Sequence, residues 1–184
     1  HADHVELATD TGSIHAALVV IACGAWSHKL ARHLGDRIPL ETERGYNTTF
    51  AANSFDLRTH LTFAGHGFVV TRIGEGIRVG GAVELGGLDL PPNYKRAEAL
   101  VAKTCRFLDG FTPEGGKQWM GFRPSLPDSL PVISRSTASD RVVYAFGHGH
   151  LGLTQSAGTA EIIASLVANR PADIPLDPYR AGRF

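Results

Sequence analysis

Residues 141–154 read RVVYAFGHGHLGLT, and this stretch decides the fold. Residues 141–146, which are mostly apolar after Arg141, are typical of a buried strand. A glycine-rich turn over residues 147–152 follows it directly. Residues 154–168 then predict a helix so apolar and so rich in small side chains that we expect it to be buried and closely packed. The order of strand, glycine turn and helix is the repeating unit of an α/β fold.

The beginning of the chain has the same order of elements. Residues 14–21 predict one strand, and residues 5–9 predict another before it. The apolar second half of the later strand indicates that it is buried on both faces, as in a layered α/β sheet. Gly24 and a helix capped by Ser27 follow, and we expect Gly35 to end that helix.

The middle of the chain predicts an antiparallel or mixed sheet with one covered face. Glycine turns at residues 65–67 and 74–76 have hairpin spacing. Residues 94–109 predict a helix with one apolar stripe, which Gly110 ends. A further strand is predicted over residues 119–123. The other predicted strands cover residues 45–52, 59–64, 68–73 and 77–83.

These elements predict a chain of the α/β plus α+β class. Residues 1–40 and 134–184 form parts of one α/β domain, and residues 41–133 form a β-rich domain inserted between them. No internal repeat and no linker separates the segments.

Composition excludes several classes of protein. The 184 residues carry 18 Lys+Arg and 18 Asp+Glu, so the formal net charge is zero. Because no basic run is present, we expect no nucleic-acid partner and no strong membrane signal. The two cysteines cannot form a disulfide framework and favour a reducing compartment. One of them, Cys23, ends an apolar strand and is interpreted as a small core residue.

The turn over residues 147–154 is the first candidate site. Its glycines let the backbone approach a ligand, and the helix that follows presents free N–H groups and a positive dipole end. A plain loop between strand and helix explains the same residues equally well. His148 and His150 could bind a metal, but no third ligand stands at a fixed spacing, so we expect none.

Two further segments offer single candidate residues. Arg123 is the one cation of an apolar, proline-bracketed stretch, and its planar guanidinium suits a carboxylate. The residues alone favour a structural salt bridge with Asp128 over a bond to a ligand. Tyr46 either faces a pocket or is a core tyrosine beside a surface arginine, Arg44, and the second case is the commoner.

Several segments of the chain, taken in order, resemble the D-amino-acid oxidase family of FAD-dependent flavoproteins. This family includes glycine oxidase, sarcosine oxidase and D-amino-acid dehydrogenase. The turn over residues 147–154 is most similar to the bacterial dehydrogenase branch. The segments are residues 18–27 (LVVIACGAWS), 74–84 (GEGIRVGGAVE), 119–133 (WMGFRPSLPDSLPVI) and 147–154 (GHGHLGLT).

The resemblance implies part of a FAD-binding Rossmann-like domain, residues 1–40 and 134–184, with an inserted substrate-binding domain, residues 41–133. The family's N-terminal GxGxxG unit holds the FAD pyrophosphate. The one GxGxxG spacing in this sequence, residues 147–152 (GHGHLG), lies instead in the segment that resembles the family's C-terminal flavin loop. We therefore expect a C-terminal portion whose partner is the N-terminal half of the same protein. It is a fragment, a proteolytic piece or a separate subunit, inactive by itself and with little or no affinity for FAD.

The resemblance also implies a reaction. The amine of an amino acid, expected to be a D-amino acid, is oxidised by hydride transfer to flavin N5, which yields an imino acid and then a 2-oxo acid. FAD would be held non-covalently, because no cysteine lies in residues 119–123. The implied substrate-binding residues are Arg123 and Tyr46. The implied cofactor-binding residues are Gly24, Gly149, His150, Leu151, Gly152, Leu153 and Thr154.

Alternatives stay open at this point. The substrate could instead be sarcosine, glycine or a cyclic imino acid such as proline or hydroxyproline, and the electron acceptor could be oxygen or a quinone. A non-catalytic subunit or interaction module is the alternative from another class. For a bacterial enzyme of amino-acid catabolism we expect a cytoplasmic location, with peripheral association at the inner membrane as the alternative.

Overall fold

A computed structural model describes residues 4–184, which form two compact units. One unit runs to Thr42 and resumes at Arg123–Phe184, and the other is Glu43–Phe122. The helices are α1 (Ser27–His33), α2 (Lys95–Phe107) and α3 (Ser156–Val167). The strands are β1 (Val5–Thr9), β2 (Gly12–Ala16), β3 (Val19–Ile21), β4 (Glu41–Ala51), β5 (Leu61–Phe63), β6 (Phe68–Ile73), β7 (Gly76–Leu85), β8 (Lys117–Ser125), β9 (Val132–Arg135) and β10 (Val142–Phe146).

The first unit holds a three-stranded sheet in the order β3-β10-β9. β10 lies in the centre, parallel to β3 and antiparallel to β9. β9 is not among the strands predicted from the sequence. Since β9 pairs with β10, the segment around residue 133 belongs to this unit, and the boundary at residue 133 differs from the observed start of the second part at Arg123.

The single strand predicted over residues 14–21 is wrong. The structure breaks it at Ala17 and Leu18 into β2, which pairs with β1 in a separate hairpin, and β3, which pairs with β10. β3 is also an edge strand and is not buried on both faces, since Val20 is 39% exposed. A continuous apolar run does not show where the chain changes from one sheet to another.

The helices of the first unit correct two further predictions. Ser27 does not cap α1, whose N-cap is Trp26, although Gly35 follows the helix with a φ of +97° as expected. The burial predicted for α3 is wrong, because no residue of α3 is buried. α3 packs against β9 and β10. No helix among these residues has both the length and the apolar character of a membrane span.

The second unit holds a five-stranded sheet in the order β5-β6-β7-β4-β8. Its first four strands pair antiparallel, as expected for an antiparallel or mixed sheet. Helix α2 covers one face, where Leu100 packs in a cluster with Phe50 and Val79. We call the opposite side the far face, defined by Asn47 and Thr49 of β4. Strand alternation separates these two residues from the helix-covered side.

Candidate functional site

The sheet of the first unit brings two predicted cofactor segments to one edge. β3 and β10 run parallel, with Ile21 opposite Tyr144. Gly24 and the glycine turn therefore both follow the carboxyl ends of neighbouring parallel strands, which is where α/β sheets bind ligands. Cys23, interpreted as a core residue, is instead exposed beside Gly24, because β3 ends before it.

The turn after β10 requires glycine at two positions. Gly147 has a φ of +87°, and a Cβ atom there would lie 2.4 Å from Cδ1 of Leu126. Gly149 has a φ of +53°, in the left-handed region that other residues adopt only with strain. A plain loop between strand and helix needs these positive φ angles as well. The angles therefore do not distinguish a ligand-binding turn from a plain loop.

The residues between this turn and α3 fit a flavin. The backbone N–H groups of Gly152, Leu153 and Thr154 donate to no backbone carbonyl within residues 4–184, and they lie at the positive end of the α3 dipole. Leu151 and Leu153 are 53% and 91% exposed. Free donors beside exposed apolar side chains suit a flat ring that gains negative charge on reduction.

His148 stabilises the turn from inside. Its Nε2 atom lies 3.0 Å from Oγ1 of Thr159 in α3, and burial lowers the pKa of the His148 imidazole. The ring is therefore neutral at pH 7 and joins the turn to the helix. Among residues 4–184 no cluster of three or more His, Cys, Asp or Glu side chains could hold a metal ion.

The turn contacts the strand that carries the predicted substrate-binding arginine. The N–H of Gly149 donates to the carbonyl of Pro124 at 2.8 Å, directly after Arg123 in β8. The guanidinium Nη1 atom of Arg123 is buried. The residues alone favoured a structural salt bridge between Arg123 and Asp128. Asp128 instead accepts hydrogen bonds from Arg183 at 2.7 and 3.2 Å. The structure thus assigns Asp128 a different partner.

Tyr46 lies on the helix-covered face of the second unit and is 1% exposed. Its hydroxyl donates to Glu84 and accepts the backbone N–H of Asn93 at 3.0 Å. This placement favours the core-tyrosine alternative over a pocket residue. Hydrogen bonding by Tyr46 is the largest cause of the lowered pKa of the Glu84 carboxyl, ahead of Arg96.

That alternative also predicted Arg44 at the surface, and this prediction is wrong, because Arg44 is fully buried. Its guanidinium donates to the carbonyls of Gly87, Leu90 and Pro91, at 2.8, 2.7 and 3.2 Å, and so holds the loop before α2. Alternation with the apolar Phe50 along β4 was the signal that could have placed Arg44 inside.

Asn47 is not among the site residues predicted from the sequence. It is 9% exposed and lies on the far face, next to Tyr46 in sequence but on the opposite side of β4. The same alternation could have found it, since a polar residue inside a mostly buried strand is unusual.

Comparisons with known proteins find relatives of this chain. The family model described as DAO, FAD dependent oxidoreductase, matches residues 1–166. The chain is 39% identical over 184 residues to the D-amino-acid oxidase of Bradyrhizobium diazoefficiens, covering 98% of this chain and 44% of the relative. It is 35% identical over 181 residues to the D-amino acid dehydrogenase of Paramagnetospirillum magneticum, covering 97% and 43%. The chain thus spans less than half the length of these two relatives.

A solved structure shares the fold. Glycine oxidase from Geobacillus kaustophilus superimposes with a TM-score of 0.83 at 25% identity, over 97% of this chain and 49% of that protein. The family model, the curated relatives and this superposition confirm the resemblance drawn from the sequence segments. The chain belongs to the DAO family of FAD dependent oxidoreductases.

Proposed function

We propose that the full-length protein oxidises the amine of a D-amino acid to an imino acid, which water hydrolyses to a 2-oxo acid. The observation that carries this proposal is the 2.8 Å hydrogen bond from Gly149 to Pro124. It joins the turn suited to a flavin with the strand that carries Arg123. The two curated relatives, named D-amino-acid oxidase and D-amino acid dehydrogenase, support the substrate class.

FAD, when bound, supplies the hydride acceptor for this oxidation. Gly24 and the turn from Gly149 to Thr154 would hold it at the carboxyl edge of the first sheet. The free N–H groups of Gly152, Leu153 and Thr154 would donate to the part of the ring where negative charge develops. Such preorganised donors stabilise developing charge strongly, because they need no reorganisation during the reaction.

Arg123 would bind the substrate carboxylate through its two-pronged guanidinium. Fixing the carboxylate restricts the orientation of the substrate Cα, and orientation of this kind lowers the barrier by several kcal/mol. No protein base is required when the amine binds in its neutral form. The cell would use this activity in amino-acid catabolism in the cytoplasm, with peripheral membrane association if the acceptor is a quinone.

The variant Arg123→Ala in the full-length enzyme tests the assignment. We expect kcat/KM for D-amino acids to fall at least 100-fold, roughly the effect of losing a charge-assisted bidentate contact, while FAD stays bound. Arg123→Lys keeps the positive charge but loses the bidentate guanidinium, and it should recover part of the lost kcat/KM. Arg58→Ala, which removes an exposed arginine paired with Asp56, is the matched control. Unchanged turnover in Arg123→Ala refutes the role of Arg123.

The substrate panel also decides the second candidate function. Glycine and sarcosine belong in it, because a glycine oxidase shares the fold at 25% identity. Assays with oxygen and with an artificial dye as acceptor separate an oxidase from a dehydrogenase. A protein that oxidises glycine or sarcosine faster than every D-amino acid contradicts the proposed substrate class.

A further inference from the structure

His148 contacts both ends of the donor segment, the name used here for residues 152–154. The N–H groups of this segment donate to no backbone carbonyl within residues 4–184. Before the segment, the carbonyl of His148 accepts the N–H of Leu151 at 2.9 Å. After it, Nε2 of the half-buried imidazole lies 3.0 Å from Oγ1 of Thr159 in α3. One residue therefore holds the chain on both sides of the donors.

The backbone around the donor segment connects these two contacts. A Cβ atom on Gly152 would lie 3.4 Å from Cβ of His148, so the segment passes directly beside this side chain. The N–H of Thr159 donates to the carbonyl of Gln155 at 2.9 Å, and the N–H of Gln155 donates to the carbonyl of Leu151 at 2.9 Å. Because these bonds join both ends of the segment, a displacement of Thr159 relative to His148 changes the direction in which the donors point.

We propose that His148 is a positioning residue, which through its hydrogen bond to Thr159 directs the donor segment at the flavin ring and so raises the midpoint potential of bound FAD. This inference rests on the flavin site of the proposed function. Donors directed at the part of the ring that gains negative charge stabilise reduced FAD more than oxidised FAD. Burial lowers the pKa of His148, so the neutral imidazole acts through its position and not through a charge.

The variant Thr159→Val of the full-length, FAD-loaded enzyme tests the proposal, because valine keeps the branched shape and lacks the hydroxyl. We expect the ratio of the affinities for reduced and oxidised FAD to fall about tenfold, the scale of one hydrogen bond. For a two-electron couple, this change lowers the midpoint potential by about 30 mV. Reduction in the presence of a reference dye of known potential, followed by absorbance, measures it. Ser165→Ala, which removes a hydroxyl from the last turn of the same helix, is the matched control and should leave the potential unchanged.

Substitutions of His148 identify the atom that matters. The amide of glutamine reaches the position of Nε2, whereas the shorter side chain of asparagine reaches only that of Nδ1. His148→Gln should therefore keep most of the wild-type potential, and His148→Asn should lower it as much as Thr159→Val does. The double variant with His148→Asn and Thr159→Val should lower the potential no further than either single variant, because both substitutions remove the same hydrogen bond.

The possible results separate this inference from the proposed function. If the wild-type enzyme oxidises D-amino acids and Thr159→Val leaves the midpoint potential unchanged, the inference is wrong and the function stands. Equal losses of affinity for oxidised and reduced FAD, or complete loss of FAD from Thr159→Val, also overturn the inference, because the pair would then serve only the folding of the turn. If the wild-type enzyme binds FAD but oxidises no amine, the proposed function fails, and the potentials of the variants still decide the inference.

Discussion

Asp36 of the first unit accepts several hydrogen bonds and connects segments far apart in sequence. It is 5% exposed and accepts hydrogen bonds from the hydroxyls of Ser136, Thr137 and Tyr144 at 2.6, 2.5 and 2.6 Å. Burial raises the pKa of Asp36, but these hydrogen bonds outweigh it, so the pKa is lowered below its ordinary value of 3.8. The charged carboxylate therefore joins the end of α1 to the strands around β10.

Replacing Asp36 by asparagine should destabilise the protein. The amide keeps the shape but loses the charge, and its NH₂ group meets hydroxyl donors. We expect a loss of about 2 kcal/mol in the free energy of unfolding, the scale of hydrogen bonds to a buried charged group. The midpoint of thermal unfolding of the full-length protein measures this loss. Asp56→Asn, at an exposed aspartate, is the control and should change the midpoint little.

Asp36→Asn should also change how the free energy of unfolding depends on pH. A carboxyl whose pKa is lowered by folding stabilises the protein above its unfolded pKa, near 3.8, and loses that contribution as the pH falls through the folded value. The difference between wild type and Asp36→Asn should thus be full at pH 7 and shrink below about pH 4. A difference that stays constant down to pH 2 contradicts the role of the charge.

At the scale of elements, the turn between β10 and α3 combines a strained backbone with exposed donors. Gly149 has a φ of +53° and open space around its missing Cβ, with Oγ of Ser125 at 3.6 Å. Backbone conformation, and not steric crowding, therefore disfavours other residue types at position 149. Any side chain would disfavour the conformation that directs the Gly149 N–H to Pro124.

Gly149→Ala should loosen this turn and weaken flavin binding. The left-handed conformation costs about 1–2 kcal/mol for an L-residue, so we expect less FAD to remain after gel filtration and a lower midpoint of thermal unfolding. The matched control is Gly158→Ala, inside α3, where open space surrounds the position and alanine favours the helix. Equal FAD retention by the two variants contradicts a special role for the turn.

At the scale of the molecule, the described residues expose apolar surface that α/β sheets normally cover. α3 has no buried residue, and Val20 of the edge strand β3 and Leu153 are exposed. The chain spans less than half the length of the two curated relatives named above. Under the proposed function, the first unit would supply one edge of a flavin site.

Purified alone, this chain should be colourless and should take up little FAD. Its one GxGxxG spacing, residues 147–152, lies in the turn before α3, which in the proposed site would contact the cofactor at one end, and no second such unit is present to hold the pyrophosphate. Absorbance spectra after incubation with FAD and desalting measure the uptake, with the full-length protein as the positive control. A yellow chain with a flavin spectrum after desalting contradicts this prediction.

Local patterns in the sequence were enough to predict most elements and the family. Alternation and glycine turns predicted the hairpins of the second unit, including β6 at its observed bounds, Phe68–Ile73. Glycine spacing also located the turn after β10, because a positive φ excludes most other residues. The sequence also named Arg123 as a candidate, since a lone cation in an apolar stretch requires a carboxylate partner.

Tertiary structure decided which strands pair and which faces are covered. Residues 14–21 contribute to two different sheets, because β2 pairs with β1 and β3 pairs with β10. Asp128, expected as a partner of Arg123, forms a salt bridge with the distant Arg183. The position of α2 made Arg44 and Tyr46 interior residues and left Asn47 on the other side of the same strand. The hydrophobic period and the composition of a segment indicate its local geometry. Which face of a strand or helix is covered depends on segments far away in the chain, so only the folded structure determines it.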